Sequence, residues 1–341
     1  MSQSEFVQPQ HLSVMFRHIS RLIFRGLQQK NRGSQCCRFA TVSEMAKLQV
    51  QEVQIPVPWG HVAGKWWGDC SVQPLLGLHG WEDNANTFDT LAPLLSVPSF
   101  LAVDLMGHGL SSFFPAIGAH HFIDAVILLR RIVDHFKWTK FSVVGHSYGS
   151  TVAFVYSALY PDDVDAYVSI DCARSLMLVQ EENLLDNIRN CLDRTLAIEK
   201  RLASDPPKYT YEELLELVYA GSRKSPTRDS CGVLLQRGIK ESSQGERMYF
   251  LSRDPRLKPW IGALTEDFIL ACAPRIKCRV LNIRGSVGFL HGDKREEVYL
   301  RTLDLMQRSE FYDVDGSHHL HLNNPENVAP LINKFLRGSN L

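Results

Sequence analysis

The sequence predicts an α/β fold: a mostly parallel sheet of eight strands with helices on both faces, and a helical cap inserted after the sixth strand. Three observations carry this reading. From residue 48 onward, short apolar runs alternate with helical periodicities. The runs show little polar alternation, as befits strands covered on both faces. The rhythm then breaks between about Ala173 and Pro274, where the pattern turns helical and polar, and an apolar run returns at Cys278.

The elements follow in order. Residues 49–57 and 61–67 read as early strands joined near Pro56, Pro58 and Gly60. Residues 74–78 form a short apolar run ending in His79-Gly80, and 87–95 carry a helical pattern. Residues 100–103 read as a strand ending at Asp104. Residues 120–136 form a strongly amphipathic helix, with Phe122, Ala125, Val126, Leu129, Ile132 and Val133 on one face. A buried-type strand at 141–144, a small-residue helix at 150–159 and a strand at 164–170 ending at Asp171 complete the first half. After the inserted segment come a strand at 278–283, a helix at 294–306, a strand at 310–314 and a helix at 325–336. The chain therefore divides into a basic extension over 1–44, a core over 45–172 and 275–341, and a cap over 173–274.

Composition narrows the function. The 341 residues hold 37 basic and 37 acidic side chains, 45% hydrophobic and 22% charged residues. A chain of this length can bury a sizeable core. A net charge of zero gives no electrostatic footprint for nucleic acid. No run of about 18 or more apolar residues is present, so no membrane span is expected. The 8 cysteines are scattered, with neither a CxxC pair nor a zinc-type Cys/His spacing. They read as small buried hydrophobes in a reducing compartment, and neither a metal nor an organic cofactor is expected. In the first 43 residues Arg17, Arg21, Arg25, Lys30, Arg32 and Arg38 face one acid, Glu5. Arg17, Arg21 and Arg25 line one helical face, and Phe16, Ile19, Ile23 and Leu27 another. That pattern reads as a mitochondrial transit peptide, or, in a cytoplasmic protein, as a disordered arm or an extension upstream of a chain beginning at Met45. The terminal Ser339-Asn340-Leu341 is a faint variant of the peroxisomal Ser-Lys-Leu address without its central basic residue.

The chemistry centres on Gly145-His146-Ser147-Tyr148-Gly149, which lies after a strand and before a helix. A tight turn there lifts the Ser147 hydroxyl above the sheet, and the following helix N-terminus favours developing negative charge. A serine needs a base. The stretch 314–321 supplies His318, His319 and His321. His318 follows the last strand through Gly316-Ser317, where a base above the sheet belongs, and the other two read as packing or loop residues. The orienting carboxylate is less direct. After the seventh strand Gly288 stands where an aspartate is usual, and the next acid is Asp293. Asp171, at the end of the sixth strand, keeps the chain order serine, acid, histidine. Asp171 also fits a helix cap or loop acceptor, and a Ser–His dyad without an acid is the third option. The backbone N–H groups of Tyr148 and Trp81 are the expected oxyanion donors. Glu82 and Asp83 are expected to open the next helix, where acids suit its dipole. His79 and His108 read as structural.

Taken together, Leu-His-Gly-Trp-Glu-Asp-Asn at 78–84, Asp104 to Ser111, Gly-His-Ser-Tyr-Gly and Gly-Ser-His-His-Leu-His resemble the α/β-hydrolase superfamily. Within it the chain is most similar to the serine hydrolase-like proteins, the branch that includes the insect hydrolase kraken; Ser252 to Lys258 adds to that likeness. The resemblance covers roughly Leu48 to Leu336 and implies the α/β-hydrolase fold, a serine nucleophile at Ser147 and a base at His318. The expected function is hydrolysis of an ester, thioester or amide of a small to medium apolar substrate through an acyl-enzyme on Ser147. A non-catalytic ligand-binding member of the fold and a carbon–carbon bond hydrolase are the alternatives. Relatives with an aspartate nucleophile are set aside by Ser147.

Overall fold

The computed structural model describes residues 49–114, 120–172, 181–202, 204–242, 247–259, 264–289 and 294–337, within a unit spanning Lys47–Leu341. The basic extension, Asp293 and the C-terminal tripeptide lie outside the described residues.

Eight strands form one sheet: β1 (Val50–Val57), β2 (Gly60–Gly68), β3 (Leu75–Leu78), β4 (Ser99–Val103), β5 (Phe141–His146), β6 (Val164–Ile170), β9 (Arg279–Val287) and β10 (Ser309–Ser317). Their spatial order is β1-β2-β4-β3-β5-β6-β9-β10. β2 runs antiparallel to both its neighbours, and every other pairing is parallel. The fold is thus that of the α/β hydrolases. Strands β3, β4 and β5 are buried along their whole length, which accounts for their largely apolar runs.

Helices cover both faces. On one lie α1 (Phe122–Phe136), α2 (Tyr148–Leu159), α6 (Glu266–Cys272) and α7 (Lys294–Leu305). They bury Val126, Leu129, Val152, Val155, Ile269 and Val298 against the sheet. Each such side chain contributes roughly 1.5–3 kcal/mol. The other face carries α9 (Pro325–Leu336), reached through the short α8 (Leu320–Asn323). Val328, Ile332 and Phe335 of α9 pack with Phe88 and Leu91. The α1 helix begins with a capping box between His121 and Asp124 and ends at Lys137 in the left-handed region.

Two readings of the sequence need correction. The helix expected over 87–95 is a pair of 3-10 turns, Ala85–Phe88 and Ala92–Leu94. Pro93, inside the second, cannot donate an intrahelical bond. Glu82 and Asp83 do not open a helix: Asn84 caps the first turn by accepting from Asn86 N, and Glu82 has φ 63°.

The segment between β6 and β9 holds α3 (Glu181–Leu202), α4 (Tyr211–Gly221) and α5 (Arg228–Gly238). A hairpin of β7 (Ile239–Glu241) and β8 (Tyr249–Leu251), which helical periodicity did not foretell, follows them. Helix α5 is fastened to the loops that follow β3 and β4. Asn84 Nδ2 donates to Leu234 O at 2.9 Å, and buried Arg237 donates to Asp104 Oδ2 at 2.7 Å. Asp104 also accepts from Ala85 N and Leu110 N, both at 2.8 Å.

Candidate active site

The register of the parallel strands aligns their C-terminal ends. Leu78 pairs with Gly145, His146 with Ile170, and Ile170 with Ile283. The ladder continues one residue further: Ser147 N donates to Ile170 O at 2.9 Å and Asp171 N to Ile283 O at 2.7 Å. Ser147 and Asp171 therefore leave adjacent strands side by side.

Ser147 has φ 51° and ψ −112°, outside the regions a non-glycine residue prefers, and is buried. The glycines that flank it permit this turn. A Cβ on Gly145 would lie 2.5 Å from Ser150 N, and one on Gly149 would lie 2.3 Å from Leu78 O. Gly149 N instead donates to His79 O at 3.0 Å, tying the turn to the loop after β3.

The His318 ring Nε2 lies 2.8 Å from Ser147 Oγ, and its Nδ1 is hydrogen-bonded to Asp171 Oδ2. Asp171 is fully buried, and its Oδ1 accepts from Gly285 N at 3.0 Å. The departure at Gly288 now has a physical account. A Cβ on Gly288 would come within 2.7 Å of Asp171 Oδ2 and 2.8 Å of Oδ1. The Asp171 carboxylate occupies the space that a side chain at 288 would enter, so the two positions exclude each other.

Trp81 and Tyr148 also come together. Their rings meet edge to face with centroids 4.9 Å apart, which holds the loop after β3 against the first turn of α2. His79 and His108 have both ring nitrogens committed to the backbone. His79 Nε2 accepts from Leu105 N at 2.8 Å, so Nδ1 carries the proton and donates to Gly80 O at 2.7 Å. His108 Nε2 accepts from Glu82 N at 3.1 Å, and its Nδ1 donates to Met106 O at 2.9 Å. Burial lowers the pKa of both rings, that of His108 well below the ordinary value.

Three features had no sequence signal. Phe289 stacks on the His318 ring at 4.4 Å and 28°. Asp83, expected as a helix-dipole acid, is buried between His319 Nε2 at 3.3 Å and His146 Nδ1 at 3.5 Å. Ser225, from the loop between α4 and α5, is buried with its Oγ 2.8 Å from His319 Nδ1. Its carbonyl accepts from Ser317 Oγ at 2.7 Å and Asn323 Nδ2 at 2.9 Å. The inserted segment is thereby latched to the loop that carries His318. His146 Nε2 donates to His318 O at 3.0 Å, and burial pushes the His146 ring down to about 4. His321 is a packing residue, buried with Nε2 2.8 Å from Thr87 Oγ1. Asp83, His146 and His319 are also the group among the described residues whose donor atoms, within 4.8 Å of one another, could hold a metal ion. As arranged, they place the Asp83 carboxylate between two imidazoles, with no hydrogen bond to His146 Nδ1. No described helix is long and apolar enough to cross a membrane.

Against known proteins, the profile of the alpha/beta hydrolase fold family matches residues 73–193. A probable serine hydrolase of Drosophila melanogaster is 38% identical over 295 residues, covering 84% of this chain and 88% of that one. Human serine hydrolase-like protein 2 is 32% identical over 305 residues, covering 84% and 94%. Among solved structures, a hypothetical protein from Pseudomonas aeruginosa superposes with a TM-score of 0.72 at 26% identity, covering 84% of this chain and 99% of that one.

Proposed function

We propose a function from one premise: this chain belongs to the serine hydrolase-like family of the α/β hydrolases. Its reaction is hydrolysis of a carboxylic ester, thioester or amide through an acyl-enzyme on Ser147. The observation that carries this reading is the continuous hydrogen-bonded line from Ser147 Oγ through His318 to the buried Asp171 carboxylate.

Each group has one task. Asp171 accepts the proton on His318 Nδ1 as a hydrogen bond, which leaves the Nε2 lone pair facing Ser147 Oγ. Nε2 takes the hydroxyl proton as Oγ bonds to the substrate carbonyl carbon. The carbonyl oxygen becomes an oxyanion and accepts from the backbone N–H groups of Trp81 and Tyr148. The imidazolium then gives its proton to the leaving oxygen, sulfur or nitrogen. Water repeats the cycle: His318 takes a proton from it, the hydroxide adds to the acyl carbon, and Ser147 regains its hydrogen. The substrate is a small to medium molecule with an apolar portion, a reading that rests on the Leu and Tyr content of the inserted segment.

A fluorophosphonate probe tests the reading. The folded protein is expected to take up one equivalent, with none on Ser147→Ala. Absence of labelling on folded wild-type protein would support a ligand-binding member of the fold instead.

A further inference from the structure

Seven non-glycine residues among those described have positive φ, and Arg223 with Lys224, at 53° and 59°, is the one consecutive pair. Left-handed backbone disfavours side chains with a Cβ, and turns that need it ordinarily recruit glycine or asparagine. Such outliers concentrate where function requires a particular side chain; Ser147 and Asp171 are two of the seven. The turn follows α4 and is closed by Arg223 N donating to Ala220 O at 3.1 Å and Lys224 N to Tyr219 O at 2.9 Å. The next residue is Ser225, buried and latched to Ser317, His319 and Asn323. The strained pair is therefore held at a fixed place beside the loop of the candidate base.

Its surroundings indicate what Arg223 is for. The guanidinium lies over the Phe289 ring, 5.1 Å from its centre, and that ring stacks on His318 at 4.4 Å. Phe289 thus touches both the imidazole of the candidate base and the guanidinium of exposed Arg223. Other arginines of the inserted segment are ion-paired: Arg228 with Glu216, Arg253 with Glu82, and Arg237 with Glu52 and Asp104. Arg223 has no carboxylate partner among the described residues. A cation fixed by backbone strain and an aromatic platform, without a carboxylate partner among the described residues, is complementary to an anion on a ligand.

We propose that Arg223 is a specificity residue that receives a carboxylate on the substrate, so that the preferred acyl group is apolar along its length and anionic at its far end. The proposal rests on Ser147 being the nucleophile and names the substrate class for that site: half-esters of dicarboxylic acids.

The test compares the 4-nitrophenyl half-ester of glutaric acid with 4-nitrophenyl pentanoate, which has the same chain length and no charge. Wild-type protein is expected to favour the half-ester at least about tenfold in kcat/KM, through a lower KM. The preference should shrink on raising NaCl to about 0.5 M, because an exposed ion pair is screened. In Arg223→Gln the ratio should fall about tenfold, and Arg223→Lys should keep part of it. A wild-type ratio of one or less, or a ratio untouched in Arg223→Gln, overturns the proposal. The two claims fail separately. If neither ester turns over, calorimetry of monomethyl glutarate with Ser147→Ala protein still reads the charge: weaker binding after adding Arg223→Gln supports the assignment, and equal binding overturns it.

Discussion

Asp171→Asn isolates the contribution of the carboxylate proposed as the third catalytic group. Asp171 has φ 41°, a conformation asparagine tolerates well, so the variant is expected to fold. Gly285 N–H points at Oδ1 from 3.0 Å and will claim the amide oxygen of the new residue. The –NH2 group then faces His318 Nδ1. An amide N–H donates, so Nδ1 must present its lone pair and Nε2 must carry the proton. With Nε2 only 2.8 Å from Ser147 Oγ, the ring then donates to the hydroxyl and cannot deprotonate it. Tautomer reversal of this kind in a serine–histidine–aspartate triad costs about 10⁴ in rate, or about 5.4 kcal/mol of barrier. The assay is the second-order rate constant for fluorophosphonate acylation, with thermal unfolding as the control for fold. A variant acylating within about tenfold of wild type refutes the reasoning. Because position 288 reaches the same space, Asp171→Gly combined with Gly288→Asp should recover a measurable part of the loss.

The remaining predictions address fit, burial and pH. Gly288→Ala puts a methyl within 2.7 Å of the Asp171 carboxylate; the carboxylate must shift, and acylation should drop about 10²-fold while urea unfolding changes by under about 2 kcal/mol. Arg237→Met leaves the Asp104 carboxylate buried without its cation and should cost about 3–5 kcal/mol in urea denaturation; a loss below about 1 kcal/mol would contradict the role given to this pair. Stability should fall in acid. Burial holds His146 at about 4 when folded, so the unfolded chain binds more protons once pH drops below about 6.5. Stabilisation present above that value is lost as pH falls toward 4, by about 3 kcal/mol from this group alone. His79, His108 and His321 shift in the same direction and steepen the loss. Unfolding free energies that stay level between pH 7 and 5 would contradict it.

The sheet was legible because its central strands are covered on both faces, and that burial leaves largely apolar runs such as Leu75–Leu78 and Phe141–His146 in the sequence. The elbow was legible because only glycine fits at 145 and 149. The support for Asp171 needed coordinates: it comes from the volume beside Gly288, and a sequence does not carry distances between strand ends. Asp83 and Ser225 could not be read at all. Their roles come from contacts over 236 and 94 positions of chain, with His319 as the shared partner. The short helix after Trp81 failed as a prediction because local periodicity ignored Pro93 and the pull of buried contacts on Asp83.

The central claim is that the Ser147 oxygen itself carries the acyl group during turnover. The direct measurement is intact-protein and peptide mass spectrometry of acid-quenched samples during hydrolysis of a 4-nitrophenyl ester. An acyl adduct is expected on the peptide containing Ser147, formed in a burst and absent from Ser147→Ala. Wild-type turnover by Ser147→Ala would contradict it.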